Sequence, residues 1–258
     1  MAREKRVVKG LVLRETDTRE SDKILTVLTG EMGKISVVAK GARSRRSRVS
    51  AAAQLLVYAE MVLSESHGWQ ILSEASTLEL FPGLRQDVLL LSLGSYLAEL
   101  TDAVTYSGME TAQVLPLLLN ALFALGNLGK EPRQVKAAFE LRLMALTGFE
   151  PLVDACAVCG QTDPAEPMLN VVHGVLHCGG CRQQGGLSMP LSPAALAALR
   201  YILYADPKRL YAFQLEREDL RLLEHASEAY VAAQLERGFR TLDFYKSLAS
   251  ALSDPGET

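Results

Sequence analysis

The side chains with the most specific spacing in this sequence are four cysteines. Cys156-Ala-Val-Cys159 and Cys178-Gly-Gly-Cys181 together read C-x2-C-x18-C-x2-C, the spacing of zinc ribbons and knuckles. Each pair can offer two thiolates from a tight turn, and Gly160, Gly179 and Gly180 allow the backbone conformations such turns need. Four thiolates complete a tetrahedral site and leave no position open for water, so the spacing predicts one structural Zn2+ per chain. His173 and His177 lie close enough in sequence to be alternative ligands, and are read as turn or neighbouring residues because four sulfurs suffice. Met1–Lys9 is charged and no apolar run follows it, so no export signal is expected. A reducing compartment then favours metal over disulfides.

The second chemistry-bearing stretch is Gly33-Lys-Ile-Ser-Val-Val-Ala-Lys-Gly-Ala-Arg-Ser-Arg-Arg-Ser-Arg48, with six positive charges and no negative one. Residues 1–50 hold thirteen Lys and Arg against six Asp and Glu, although the whole chain carries a formal charge of -3. A basic end on an acidic body suits a polyanion held by one module. Lys34, Lys40, Arg43, Arg45, Arg46 and Arg48 are therefore the candidate phosphate-binding residues, and Ser44, Ser47 and Ser50 can add hydrogen bonds. Tyr58 and Trp69 fall on expected strands and could stack on bases, although each could equally be core. The competing reading of the arginines is a solvated linker.

Other chemistries lack their residues. There is no G-x-x-x-x-G-K-[ST] phosphate loop, no G-x-S-x-G elbow and no H-E-x-x-H. A nucleobase deaminase pairs P-C-x-x-C with an upstream H-x-E. Here Ala155 precedes Cys156, and His67 is followed by Gly68-Trp69. Glu216, Glu218 and Asp219 beside Arg217 and Arg221 read as a solvated helix start. The expectation is a protein that is not an enzyme. Thr111–Gly129 has no charged residue but includes Gln113, Pro116, Asn120 and Asn127, so a buried helix is expected there and no membrane span.

The elements that must position these groups change character near residue 80. Val7–Arg14, Asp22–Thr29, Lys34–Lys40, Gln54–Leu63 and Trp69–Leu78 are five short apolar or alternating runs separated by turn signals, which predicts a small barrel or sandwich. In the third run, Lys34, Ser36, Val38 and Lys40 share the face directed to solvent. From Pro82 the period is helical: Gly83–Tyr106, Thr111–Leu128, Pro132–Leu146, Pro193–Tyr204 and Glu216–Arg237 are the expected helices. Residues 149–190 interrupt them with Pro, Gly and the cysteines.

Four segments resemble the bacterial recombination mediator family RecO. They are Glu20–Thr29 followed by Gly33–Arg43 and the basic loop, Phe139–Gly148 with Pro151, Cys156–Gly160, and Arg237–Leu248. The resemblance implies an α+β multidomain chain: a five-stranded OB-fold barrel that binds DNA over 1–80, an all-α helical domain over 81–150 and 191–248, and a four-cysteine zinc-binding insert over 151–190. A flexible tail is expected over 249–258. Lys34, Lys40, Arg43, Arg45, Arg46 and Arg48 match the family's basic segment, and Cys156, Cys159, Cys178 and Cys181 its metal positions. What the resemblance implies of function is binding of single- and double-stranded DNA, annealing of complementary strands, and loading of RecA onto strands coated by single-stranded-DNA-binding protein (SSB). RecR, and in some pathways RecF, would be partners, in a cytoplasmic, nucleoid-associated setting. The alternative is a zinc-ribbon adaptor whose basic end binds RNA in a transcription or translation complex.

Overall fold

The computed structural model describes residues 5–18, 21–181 and 185–253. They form two compact units, one made of residues up to Asn127 together with those from Phe239 onward, the other of Leu128–Gly238.

In the first unit β1 (Lys5–Thr18), β2 (Asp22–Thr29), β3 (Lys34–Ala39), β4 (Tyr58–Ser66) and β5 (Trp69–Glu79) close a barrel in the order β1-β2-β3-β5-β4. All neighbours are antiparallel except β3 and β5, which pair in parallel at Val37–Gln70 and Val38–Ile71. The five-stranded OB-type barrel expected at the amino-terminal end is thus present. The alternation seen in sequence sends Val12, Leu25, Val27, Val37, Met61 and Leu63 inward. The expected strand at Gln54 begins instead at Tyr58. Residues 42–57 are turns whose Ala42, Val49, Ala52, Ala53 and Val57 join the barrel core. Gly33 shows why a glycine opens β3: its φ is 68°, and a Cβ there would lie 2.7 Å from the Met109 carbonyl oxygen.

Four helices complete this unit. The expected single helix from Gly83 is two, α1 (Pro82–Arg85) and α2 (Val88–Val104). The break falls at Asp87, whose carboxylate accepts the backbone N–H groups of Leu89 and Leu90 and so caps α2. α3 (Val114–Gly126) is the charge-free helix. It is too short to span a bilayer, and no helix among the described residues is long and apolar enough to do so. A further helix, labelled α7 below, covers Arg240–Ser253 and runs through residues 249–253, where a tail was expected; residues 254–258 lie outside the described residues. Its N-terminus rests on Glu99 of α2, which accepts from the Thr241 hydroxyl at 2.5 Å, and Phe239 stacks edge-on against Tyr96 at 5.7 Å.

The second unit contains α4 (Pro132–Leu146), α5 (Pro193–Tyr204) and α6 (Arg217–Leu235), with a three-stranded sheet of β6 (Pro167–Asn170), β7 (Val175–Cys178) and β8 (Ser188–Pro190) in the order β7-β6-β8. The sheet was not read from sequence, because strands of three or four residues are too short to show a period. Between α4 and α6, Lys136 is wholly buried, 3.0 Å from Glu140 and 3.1 Å from Glu228. Burial opposes its charge, but Glu140, Glu228 and Glu224 hold its pKa above the usual lysine value. Lys136→Ala should therefore remove the ammonium that lies 3.0 Å from the buried Glu140 carboxylate, at a cost of about 3 kcal/mol. Urea unfolding of the variant checks this.

Candidate metal centre and nucleic-acid interface

The four cysteines meet in the second unit. Turns closed by Gly160 N–H to the Cys156 carbonyl (2.9 Å) and Cys181 N–H to the Cys178 carbonyl (3.0 Å) form two knuckles. Gly160 has a φ of 76°. The four Sγ atoms all lie within 4.8 Å of one another, and those of Cys159 and Cys178 are 3.6 Å apart. A disulfide needs about 2.05 Å. The edge of a tetrahedron with Zn–S bonds of about 2.3 Å is roughly 3.8 Å. The cluster is therefore spaced as ligands around one ion. Desolvation opposes the Cys156 thiolate, but the backbone N–H groups of Cys159, Val158 and Cys178 outweigh it and bring its pKa to about 6. Desolvation and the Cys159 thiol push Cys178 up to about 12. Two thiolates so close repel, which a cation between them would reverse.

Among the described residues, neither histidine joins the sulfur cluster. The His177 ring is buried, with Nδ1 2.9 Å from the Cys178 carbonyl within β7 and Nε2 2.8 Å from the Ser188 hydroxyl of β8, so both nitrogens have protein partners. His173 is exposed in the β6–β7 turn. The first knuckle is held by Arg200 of α5, which sequence reasoning missed. Its guanidinium donates to the carbonyls of Val153 (2.9 Å), Asp154 (3.0 Å) and Thr162 (2.5 Å) and to the Asp163 carboxylate (2.9 Å), clasping both flanks of Cys156–Cys159. Those hydrogen bonds hold the Asp163 carboxyl below the usual carboxylate range. Arg200→Ala should weaken metal affinity about tenfold, as loss of a ligand-orienting shell does. Competition with a chromogenic chelator measures it.

The basic segment lies on the barrel. Lys40 directly follows β3, and a turn at Gly41 (φ 64°) starts the arginine loop. The loop is pinned at several points. The Gly41 N–H donates to Asp22 Oδ1 at 2.7 Å, the Arg43 N–H to the Ser21 carbonyl at 2.9 Å, and Lys23 Nζ to the Ala53 carbonyl at 3.3 Å. With Val49, Ala52 and Ala53 buried, the arginines stand on an anchored surface, which is not how a solvated linker is built. Lys40, Arg45, Arg46 and Arg48 are exposed and have no ion-pair partner among the described residues. Arg43 is also exposed and faces Asp17 at 3.4 Å.

Lys34 differs from the rest. Its Nζ is 2.5 Å from the Asp102 carbonyl and 2.8 Å from Asp102 Oδ1, at the end of α2. Placed on the solvent face by strand alternation, it is drawn instead into a half-buried ion pair that ties β3 to the negative end of a helix dipole. Asp102, sixty-eight residues away in sequence, gave no signal for this. Tyr58 is half-buried, whereas Trp69 is 51% exposed.

A family model described as "Recombination protein O N terminal" matches residues 3–81, and one described as "Recombination protein O C terminal" matches residues 85–243. The chain belongs to the RecO family. Its relatives match along nearly their whole length. "DNA repair protein RecO" of Acetivibrio thermocellus is 30% identical over 239 residues, 93% of this chain and 95% of that one. The protein of the same name from Symbiobacterium thermophilum is 33% identical over 248 residues, 95% and 98% of the two chains. That of Bacillus pumilus is 32% identical over 231 residues, 88% and 90%. A general role in DNA repair follows from membership in the RecO family. Of the similar segments, Glu20 lies outside the described residues.

Proposed function

We infer that this protein is a DNA-binding recombination mediator that performs no covalent chemistry. It binds single- and double-stranded DNA, anneals complementary strands, and with RecR helps load RecA onto SSB-coated single strands, with RecF as a further partner. The anchored basic loop is the observation that supports this reading most directly. Lys40, Arg45, Arg46 and Arg48 would carry the phosphate contacts, with Arg43 beside them and Lys34 in a supporting place through its pair with Asp102.

Annealing asks only that two polyanions be neutralised and held together, which a fixed cationic surface does by releasing condensed counterions. In the insert, Cys156, Cys159, Cys178 and Cys181 would hold one Zn2+. The ion would supply structural cross-linking, since four thiolates leave it no open position. The setting is cytoplasmic, at the nucleoid.

The test is fluorescence anisotropy on labelled single-stranded DNA across a salt series, with annealing of complementary oligonucleotides followed in the same samples. Tight binding with a steep salt slope, and annealing without nucleotide, support the mediator reading. Equal or stronger binding and annealing on RNA would move the chain to the RNA-adaptor reading. Absence of binding at low salt would leave the arginines without this role.

A further inference from the structure

The four sulfurs of the insert do not share one exposure. Cys156 is buried and Cys178 and Cys181 are half-buried, but Cys159 is open to solvent. Its surroundings keep it open. Val158 beside it is exposed, and a Cβ on Gly160, or on Gly180 of the facing knuckle, would meet no heavy atom within 4 Å among the described residues. A small solute can therefore reach the Cys159 side of the cluster, whereas a sulfur closed in on all sides would be out of its reach.

A partner sulfur is already in place on the other knuckle. Cys159 Sγ lies 3.6 Å from Cys178 Sγ, so a shift of about 1.5 Å would bring the two to the length of an S–S bond. Cys156 is less free to move. Its Sγ accepts the Cys178 N–H at 3.4 Å and the N–H groups of Val158 and Cys159, which anchor it inside its own turn. An exposed thiolate beside a second thiolate that can resolve it is the arrangement that reversible oxidation requires. A metal ion keeps such sulfurs deprotonated, and the thiolate is the nucleophile.

Resting on the reading that these cysteines hold Zn2+, we propose that Cys159 is a site of reversible oxidation by hydroperoxides, with Cys178 as its resolving partner. With hydrogen peroxide, the Cys159 thiolate attacks one oxygen. The O–O bond breaks, a sulfenic acid forms at Sγ, and hydroxide leaves. The Cys178 thiolate then attacks that sulfur, forming the S–S bond and expelling a second hydroxide. Two thiolates have lost two electrons, and the peroxide has taken them up as two hydroxide ions. With two of its four ligands withdrawn, the Zn2+ is released, while Cys156 and Cys181 remain unoxidised. The resolving step also stops Cys159 short of the irreversible sulfinic acid. A dithiol reductant returns both thiolates by exchange, so the ion can be bound again. The fold of the insert would in this way depend on the oxidant around it.

The full-length, zinc-loaded protein would be treated with hydrogen peroxide, and released Zn2+ followed with a chromogenic chelator. The remaining thiols would be alkylated and the disulfides mapped by mass spectrometry. One Zn2+ per chain should appear together with a Cys159–Cys178 bond, and dithiothreitol with added Zn2+ should restore the metal content. Cys159→His and Cys181→His both leave three sulfurs and one imidazole, so they differ only in which sulfur is missing. Peroxide should release Zn2+ from Cys159→His about tenfold more slowly than from Cys181→His, which keeps the reacting pair. Equal rates from the two variants, retention of Zn2+ by the treated chain, or a first disulfide within either knuckle would overturn the proposal while leaving the metal centre intact. The mapping on the unaltered chain decides the pairing even if neither variant folds. Absence of Zn2+ from the untreated protein would overturn the metal reading as well.

Discussion

Changing Lys40, Arg45, Arg46 and Arg48 together to glutamine should lower single-strand affinity by about three and a half orders of magnitude at roughly 0.05 M salt, and by about two at roughly 0.2 M. Each phosphate neutralised on a single strand contributes about 0.7 to the slope of log K against log salt, so four contacts contribute roughly 3. The loss should therefore shrink as salt rises, and the slope should flatten by that amount. It should be the same for any DNA sequence, because contacts to phosphates carry no sequence information. The fold should survive, since all four side chains are exposed and none makes an ion pair among the described residues. Lys34→Gln provides the contrast. It removes a half-buried pair with Asp102, so its main effect should be on stability, with a smaller effect on the salt slope. Anisotropy at four or five salt concentrations, with melting curves for each variant, separates the two. If the quadruple variant bound DNA with an unaltered slope, the phosphate contacts would have to be placed elsewhere.

What could be read from sequence follows the range of the physics involved. Strand alternation is a local property, and the limits of β2 and β3 match it to within a residue. Cysteine spacing is likewise local, and the four sulfurs do meet. The pairing of Ile24 with Val38 and of Val38 with Ile71 could not be found that way, because it exists only once the register of β2, β3 and β5 is set. The same holds for Lys34, whose face was read rightly by alternation but whose ammonium is claimed by Asp102 on a helix far along the chain. Arg200 is an ordinary helix arginine until α5 lies against the first knuckle. The separation of α1 from α2 had a local signal in Asp87, an N-cap residue overlooked within a continuous apolar run. The short strands β6, β7 and β8 had none. They form because the knuckles fold the chain back on itself, so tertiary constraint decides them.

A net negative charge on the chain does not oppose the proposed binding of a polyanion at the basic loop. Coulomb interactions between exposed charges fade over about 8–10 Å in physiological salt, so the acidic remainder of the sequence is largely screened from a phosphate held at the loop. Local density of charge decides binding, and here it depends on burial of Val49, Ala52 and Ala53 as much as on the arginines. A loop cut free of that anchorage would lose order between its guanidinium groups, and ordering them again would weaken each contact.

Stripping the metal, by chelation or by Cys156→Ser, should unfold the insert over 151–190. Its strands are four, four and three residues long, below what an isolated sheet needs in water. Its apolar centre is small, with Val153, Leu169, Val171 and Leu176 its buried aliphatic residues. Structural zinc in small fingers binds with about 10–16 kcal/mol, and that binding energy is folding energy. If a third of it were coupled to this unit, the loss would lower the melting temperature by about 10 °C. Acidification should act in the same direction, because protons compete with the ion for the thiolates. Inductively coupled plasma analysis should give one zinc per chain before treatment and none after. Limited proteolysis should then cut first within 151–190. Metal removal with no change in melting or cleavage would refute the structural role. Among the described residues, none of the insert holds Lys40, Arg45, Arg46 or Arg48, so single-strand affinity at fixed salt should change by less than about twofold. That outcome would establish the metal as a fastener of its own unit, and leave to the arginine loop the task of holding DNA.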